Sequence, residues 1–299
     1  MTVCIAALCW DSRMSGHLVV GAADRMLSAP DTEYEPSQSK IWSITKSIVA
    51  VGSGDTELLT ELLEHIIQVV RKREQRRPGT HWELEEVARL YQAEYKRAAA
   101  ARAEAKILAP LGLTMNSFRS QQKEMSDSLA LQIATELWNF RLPDVEVIFT
   151  GTDLKGTHIY SSDNGSLAWR DGIGFAAIGA GSPHANSQMM FRGHSKWSGL
   201  SDTLLLVYSA KKRAEAAPGV GRTTDMFAIG PGIDSIFSIP SHLLGRLETL
   251  YQETQRKAEK AIEKSRRGIE QYLAELEEET KKTTQQQATT EQPASKSGL

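Results

Sequence analysis

The sequence predicts an α+β fold with a long helix towards its C-terminal end. Three observations lead there: strand-like apolar runs cluster in residues 3–51 and again in 144–178, a long stretch of helical periodicity separates them, and one amphipathic stripe runs on from Ser241. Grouped strands and grouped helices favour antiparallel sheets packed with helices over an alternating parallel arrangement.

The first two runs, 3–10 and 17–23, flank the polar segment Asp11-Ser12-Arg13-Met14-Ser15-Gly16, which is the pattern of a hairpin of buried strands. A polar stretch with Pro30 and Pro36 follows, then strand-like runs at 40–45 and 47–51. They end at Gly52-Ser53-Gly54-Asp55, where Asp55 or Thr56 can cap a helix. From Glu57 to about Arg73, the residues Leu58, Leu59, Leu62, Leu63, Ile66, Ile67 and Val70 recur at helical spacing. A basic break at 73–80 leads to a second helix from Trp82 past Ala105. After an interruption at 110–116, a third helix is expected over 126–140, stopped by Pro143.

Strands are expected at 144–150, 158–161, 167–170 and 174–178, separated by glycine-bearing turns. Ser182 reads as the N-cap of the next helix, with Pro183 at its first position. A further amphipathic helix spans 200–214, and 227–239 reads as strands around a Pro231-Gly232 turn. The last helix carries its stripe through Leu243, Leu247, Leu250, Ala258, Ala261, Ile269, Tyr272 and Leu276. After Glu279 the composition narrows to Lys, Thr, Gln, Ala and Ser, which predicts a disordered tail over 280–299.

Composition excludes several function classes. Lys and Arg (35) nearly balance Asp and Glu (37), so nothing points to nucleic acid or an anionic membrane as partner. No apolar run reaches the roughly 18 residues that a membrane span requires. Cys4 and Cys9, five apart on one strand and so on opposite faces, form neither a disulfide framework nor a metal site. With a poor signal-peptide pattern at the N-terminus, the expected compartment is the cytoplasm. No cofactor is expected. Gly172-Ile173-Gly174 fits part of a dinucleotide pattern but precedes a strand instead of following one. His184 and His194 read as surface or cap histidines, and the basic run 71–77 as a solvated helix end.

Thr2 is the first candidate for chemistry. Its small side chain permits removal of Met1, after which one residue carries both a hydroxyl and an α-amine able to act as that hydroxyl's base. The amine's ordinary pKa of roughly 7.7–8 suits proton transfer near neutral pH. Such a nucleophile also needs a cation beside it, a carboxylate to hold the cation, and a backbone amide to receive an oxyanion. Lys40, Asp24 and Gly52 are the residues of those types at strand ends nearby in sequence. Arg25 is expected to pair with Asp24, to line the pocket, or to lie on the surface.

Thr2-Val3-Cys4-Ile5-Ala6, Gly21-Ala22-Ala23-Asp24-Arg25, Ser39-Lys40-Ile41 and Val49-Ala50-Val51-Gly52-Ser53-Gly54-Asp55 resemble, in order, the N-terminal half of proteasome β-type subunits. The resemblance extends to bacterial proteasome-like peptidases of the N-terminal-nucleophile hydrolase superfamily. Ile148-Phe149-Thr150-Gly151, the segment 175–183 and Asp225-Met226-Phe227-Ala228-Ile229 resemble the second half, so the match covers most of residues 2–240.

The resemblance implies a four-layer αββα sandwich over 1–240 with an enlarged helical segment at 56–142, followed by a helical extension at 241–279. It implies Thr2 as nucleophile, Asp24 as the carboxylate fixing Lys40, Lys40 as the cation that tunes the hydroxyl, and Gly52 as the oxyanion-binding amide. It also implies a threonine peptidase acting on polypeptide, assembled as a homo-oligomeric ring and fed by an ATPase unfoldase. The chain departs from the family pattern at Ala180, where a serine is usual, and at Ala214 and Ala217, where many members carry Asp and Ser. Those departures favour one alternative, a non-catalytic structural subunit on the same fold; a further alternative is an amidohydrolase of a small amide using the same nucleophile.

Overall fold

Alternation of inward and outward side chains organises the molecule around two five-stranded antiparallel sheets. The computed structural model describes residues 2–29, 32–37, 39–79 and 81–290, with the side chains of 28, 29, 33 and 283–290 left undescribed. In chain order, β1 (Cys4–Asp11) and β2 (Gly16–Asp24) form the opening hairpin, with Cys4 opposite Ala23. A small ribbon, β3 (Leu27–Ala29) with β4 (Thr32–Tyr34), precedes β5 (Ile41–Ser43) and β6 (Ile48–Gly54). Four helices follow: α1 (Thr56–Arg76), α2 (Leu84–Ala103), α3 (Met115–Gln121) and α4 (Asp127–Asn139).

The second half runs through β7 (Val145–Asp153), β8 (Gly156–Asp163), β9 (Ser166–Trp169), β10 (Phe175–Ile178), α5 (Ser182–Phe191), α6 (Leu200–Ala214), β11 (Thr224–Ile229), β12 (Ile236–Ser238) and α7 (Ser241–Thr290). One sheet has the order β10-β1-β2-β11-β12 and the other β5-β6-β7-β8-β9. The described residues divide into one unit ending at Gly245 and another beginning at Arg246, and α7 crosses that division.

The period of two decides what each strand residue touches. Cys4, Ala6 and Leu8 of β1 share an apolar cluster with Val49 and Val51 of β6, Ile148 of β7 and Ile159 of β8, so the sheets pack face to face. Intervening residues face the other way. Ile48 and Ala50 of β6, with Val147 and Phe149 of β7, meet the buried stripe of α1 and Leu84, Val87 and Tyr91 of α2. On the first sheet, α5 and α6 pack against β1. Strands covered on both faces need apolar residues at every position, which is why β1 reads as a continuous run.

α1 starts where expected: Asp55 is its N-cap and accepts from the Leu58 N–H at 2.8 Å. Its seven buried residues are those of the sequence stripe. Several boundaries and elements differ from expectation. The N-cap of α5 is Gly181 with no side-chain cap bond, so Ser182 is the first helical residue and not the cap. The interruption at 110–116 ends in α3, a seven-residue helix closed by a reciprocal cap between Thr114 and Ser117.

α7 continues past Glu279 to Thr290, where a disordered tail was expected. Residues 280–290 contain neither Gly nor Pro to stop the helix, and their Lys, Gln and Ala are good helix formers among weaker threonines. The remainder of that expected tail, 291–299, lies outside the described residues. No helix among the described residues is long and apolar enough to cross a membrane.

Candidate active site

Three chain segments bring the first three candidate residues together. Thr2 lies two residues before β1, Asp24 ends β2, and Lys40 sits one residue before β5. Because β1 and β2 pair with Cys4 opposite Ala23, Asp24 falls beside the chain start, and its N–H donates to the Val3 carbonyl at 3.2 Å.

The Thr2 hydroxyl donates to Asp24 Oδ1, and the Lys40 ammonium donates to Thr2 Oγ1 and to the Met26 carbonyl. Lys40 Nζ also lies 3.2 Å from Asp24 Oδ1. Asp24 collects further donors from the backbone: Val3 N–H at 3.0 Å on Oδ1, and Met26 N–H at 3.2 Å and Gly221 N–H at 2.8 Å on Oδ2. Thr2, Asp24 and Lys40 are 2%, 0% and 8% exposed, so these bonds form with little competition from water.

Thr2 and Lys40 line a cavity of about 750 Å³ together with Gly52, Ser53, Gly179 and Ala180 on one side and Met26, Leu27 and Trp42 on another. Gly52 lies in β6, opposite Val147 of β7. A Cβ there would lie 2.4 Å from Leu59 Cδ2, so any larger residue would push the Leu59 side chain of α1 aside. The Gly52 carbonyl accepts from the Cys4 thiol at 3.4 Å. Burial is the main force pushing that thiol's pKa far above its ordinary value, so Cys4 is no rival nucleophile.

The turn before α5 presses on the chain start. Gly181 N–H donates to the Thr2 carbonyl at 3.1 Å. Gly179 has a φ of +86° and approaches so closely that a Cβ would meet the Thr2 oxygen at 2.4 Å. Its N–H donates to Glu146 Oε2 at 2.7 Å. Burial, with the neighbouring charges of Asp163 and Asp144, raises the Glu146 carboxyl above its usual range, the Gly179 bond opposing. Glu146 and Asp144 both line the cavity, giving that wall an acidic character.

Sequence reasoning missed Glu146, Asp144 and Gly221. For Glu146 the signal was present: it is a lone carboxylate in the apolar strand Val145-Glu146-Val147-Ile148. Two expectations need correction. Arg25 pairs with neither Asp24 nor the cavity; its guanidinium forks onto Asp225 at 2.6 and 2.9 Å, a partner 200 residues away. His194 is buried and not a surface residue; the cap reading holds, since its N–H closes the end of α5 on the Met189 carbonyl at 3.1 Å, and its Nε2 donates to the Leu8 carbonyl at 3.0 Å. The basic run at the end of α1 is tied down in part, since Arg73 pairs with Glu86 and lies 4.2 Å from the Trp82 ring centroid. Among the described residues no group of three or more His, Cys, Asp or Glu could hold a metal ion.

No model of a known protein family matches the chain, and no curated protein matches it.

Proposed function

We propose that the chain is a threonine peptidase on a four-layer αββα fold of the N-terminal-nucleophile hydrolase type. One observation carries the reading: a threonine hydroxyl and a lysine ammonium on the wall of a cavity of about 750 Å³ bond to each other and to a carboxylate buried behind them. A hydroxyl bonded to a cation and facing empty space is what nucleophilic catalysis requires, whereas a purely structural threonine has no use for the cavity.

The proposed reaction begins after removal of Met1, which lies outside the described residues. The Thr2 α-amine takes the Oγ1 proton as Oγ1 attacks the scissile carbonyl carbon, and the carbonyl π pair moves to oxygen. Lys40, held by Asp24, lowers the hydroxyl's pKa, and the Gly52 N–H donates to the oxyanion. As the adduct collapses, the C–N bond breaks and the α-ammonium returns its proton to the leaving amine. Water, deprotonated by the same amine, then cleaves the ester on Oγ1 and restores the hydroxyl. Because Thr2 is nearly enclosed, extended or unfolded polypeptide is the substrate class that reaches it. We extend the proposal to a ring of identical subunits enclosing the sites and supplied by an ATPase unfoldase.

A non-catalytic subunit is the second reading. It is favoured by Ala180, which puts a methyl group on the cavity wall where related enzymes carry a hydroxyl. Hydrolysis of short fluorogenic peptide amides by the purified chain, compared with Thr2→Ala, decides between the two. Turnover by the parent and none by the variant supports the peptidase; equal rates, or none from either, overturn it.

A further inference from the structure

Lys211 is one of the largest fully buried side chains among the described residues, and the chemistry above makes no use of it. It occupies the buried face of α6, between Val207 and Ala214. Its ammonium has three donors and meets three acceptors: Glu215 Oε1 at 2.6 Å, the Gly221 carbonyl at 2.9 Å and the Arg222 carbonyl at 2.8 Å. A buried cation is retained at a cost, and burial is the main force lowering the pKa of Lys211. An apolar side chain would fill the space with no such cost, but it would leave two carbonyls of the 221–222 turn without donors.

That turn leads back to the cavity. Gly221, whose carbonyl binds Lys211, uses its N–H to bind Asp24 Oδ2 at 2.8 Å. Met26 N–H supplies the only other contact to that oxygen recorded among the described residues, at 3.2 Å. Oδ1 of the same carboxylate carries Thr2 and Lys40. The far side of the turn is fixed as well, because Thr223 N–H donates to Glu35 at 3.1 Å. A Cβ on Gly221 would lie 2.2 Å from Glu35 Oε1 and 3.0 Å from the Met26 nitrogen. The turn therefore has one seat, with Lys211 on one side and Asp24 and Glu35 on the other.

We propose that Lys211 is a positioning residue for the Thr2–Asp24–Lys40 cluster, acting through the Gly221 amide that orients the Asp24 carboxylate. It touches neither substrate nor hydroxyl. Ala214 and Ala217, on the same helix end and the loop after it, offer no polar group for this task, and Lys211 supplies one turn earlier what they lack. The inference rests on the peptidase reading for its kinetic consequence, and on the hydrogen bonds alone for its structural one.

The test uses the full chain and short fluorogenic peptide amides. Lys211→Met is expected to lower kcat about 10- to 100-fold, the scale of a catalytic group displaced by an ångström, with KM within about threefold of the parent. Amide exchange is expected to quicken at Gly221 while core amides such as Ala6 and Ala22 keep their protection. An unchanged kcat per folded molecule, or faster exchange at Gly221 and the core alike, would mean that Lys211 serves stability alone and would overturn the proposal. Gly221→Ala covers the case in which Lys211→Met does not fold, since it crowds Glu35 on the other side of the turn. Full kcat in that variant also overturns the proposal. If the parent itself hydrolyses no peptide, the functional reading falls, and the exchange measurement still decides whether Lys211 holds Gly221 on Asp24.

Discussion

Lys40 and Lys211 are both buried lysines, linked through the Asp24 carboxylate and the Gly221 backbone, yet their surroundings differ in kind. Lys40 Nζ bonds a hydroxyl, a carboxylate and a carbonyl on the wall of a cavity. Lys211 Nζ is enclosed by a carboxylate and two carbonyls and is fully buried. Burial of a lysine by itself therefore says little about chemistry. A cation beside a nucleophile and open space tunes a reaction, and a cation saturated by main-chain oxygens holds a turn in place.

The largest test of that contrast is at the hydroxyl. Thr2→Ala is expected to reduce peptide hydrolysis by more than about 1,000-fold, with the melting temperature nearly unchanged. Lys40→Ala should follow, at about 100- to 10,000-fold in kcat, the range expected for a group that assists proton transfer. If Lys40→Ala and Lys211→Met lowered kcat equally, the distinction between tuning and positioning would be lost.

Gly52→Ala is expected to act on both stability and rate. The added methyl meets Leu59 at 2.4 Å, and relieving such overpacking costs about 1–3 kcal/mol, measurable by denaturant unfolding. Displacement of β6 from α1 would also move the Gly52 N–H and lower kcat.

Two pH-dependent predictions sharpen the comparison with groups outside the cluster. Asp171 sits 2.6 Å from His158 Nδ1, and this bond is the main cause raising the histidine's pKa. A raised histidine stabilises the fold fully below its unfolded value of about 6.5 and loses that contribution as pH climbs through the folded value. Asp171→Asn should therefore lower the melting temperature by roughly 2–4 °C at pH 5.5 and by progressively less towards pH 9.

Glu146 shares the sign of that pH dependence, but removing its charge acts in the opposite direction on the melting temperature. Its carboxyl is raised by burial, so ionisation weakens the folded state as pH rises above about 4.3. Glu146→Gln should melt on the order of 1–2 °C higher than the parent at pH 8 and at the same temperature near pH 4. A melting difference independent of pH would show that its charge is not the cause.

Much of the fold was legible because periodicity survives burial. The paired runs at 3–10 and 17–23 gave the hairpin β1–β2 within a residue, and the stripe Leu58 to Val70 gave α1, which runs three residues beyond the expected end at Arg73. Three short elements were not legible: β3, β4 and α3 are three to seven residues long and lie in mostly polar stretches, whereas the equally short β5, β9 and β10 showed as strand-like runs. Within the candidate site, Thr2, Asp24 and Lys40 were found through their order and type, and the structure brings them into contact. Gly52 joins them on the cavity wall. Arg25 was misread because its partner Asp225 is fixed by strand pairing between β2 and β11, which no local pattern reveals. Gly221 and Lys211 escaped for the same reason, although a lysine on the apolar face of α6 was a visible anomaly.

The proposed peptidase chemistry requires that Thr2 begin the mature chain and that its hydroxyl react. Intact-mass measurement of the purified protein after exposure to a β-lactone tests it most directly. The expected spectrum shows a chain starting at Thr2 and carrying a single acyl adduct that is missing from Thr2→Ala. A chain that retains Met1, or an adduct that persists in Thr2→Ala, would contradict it.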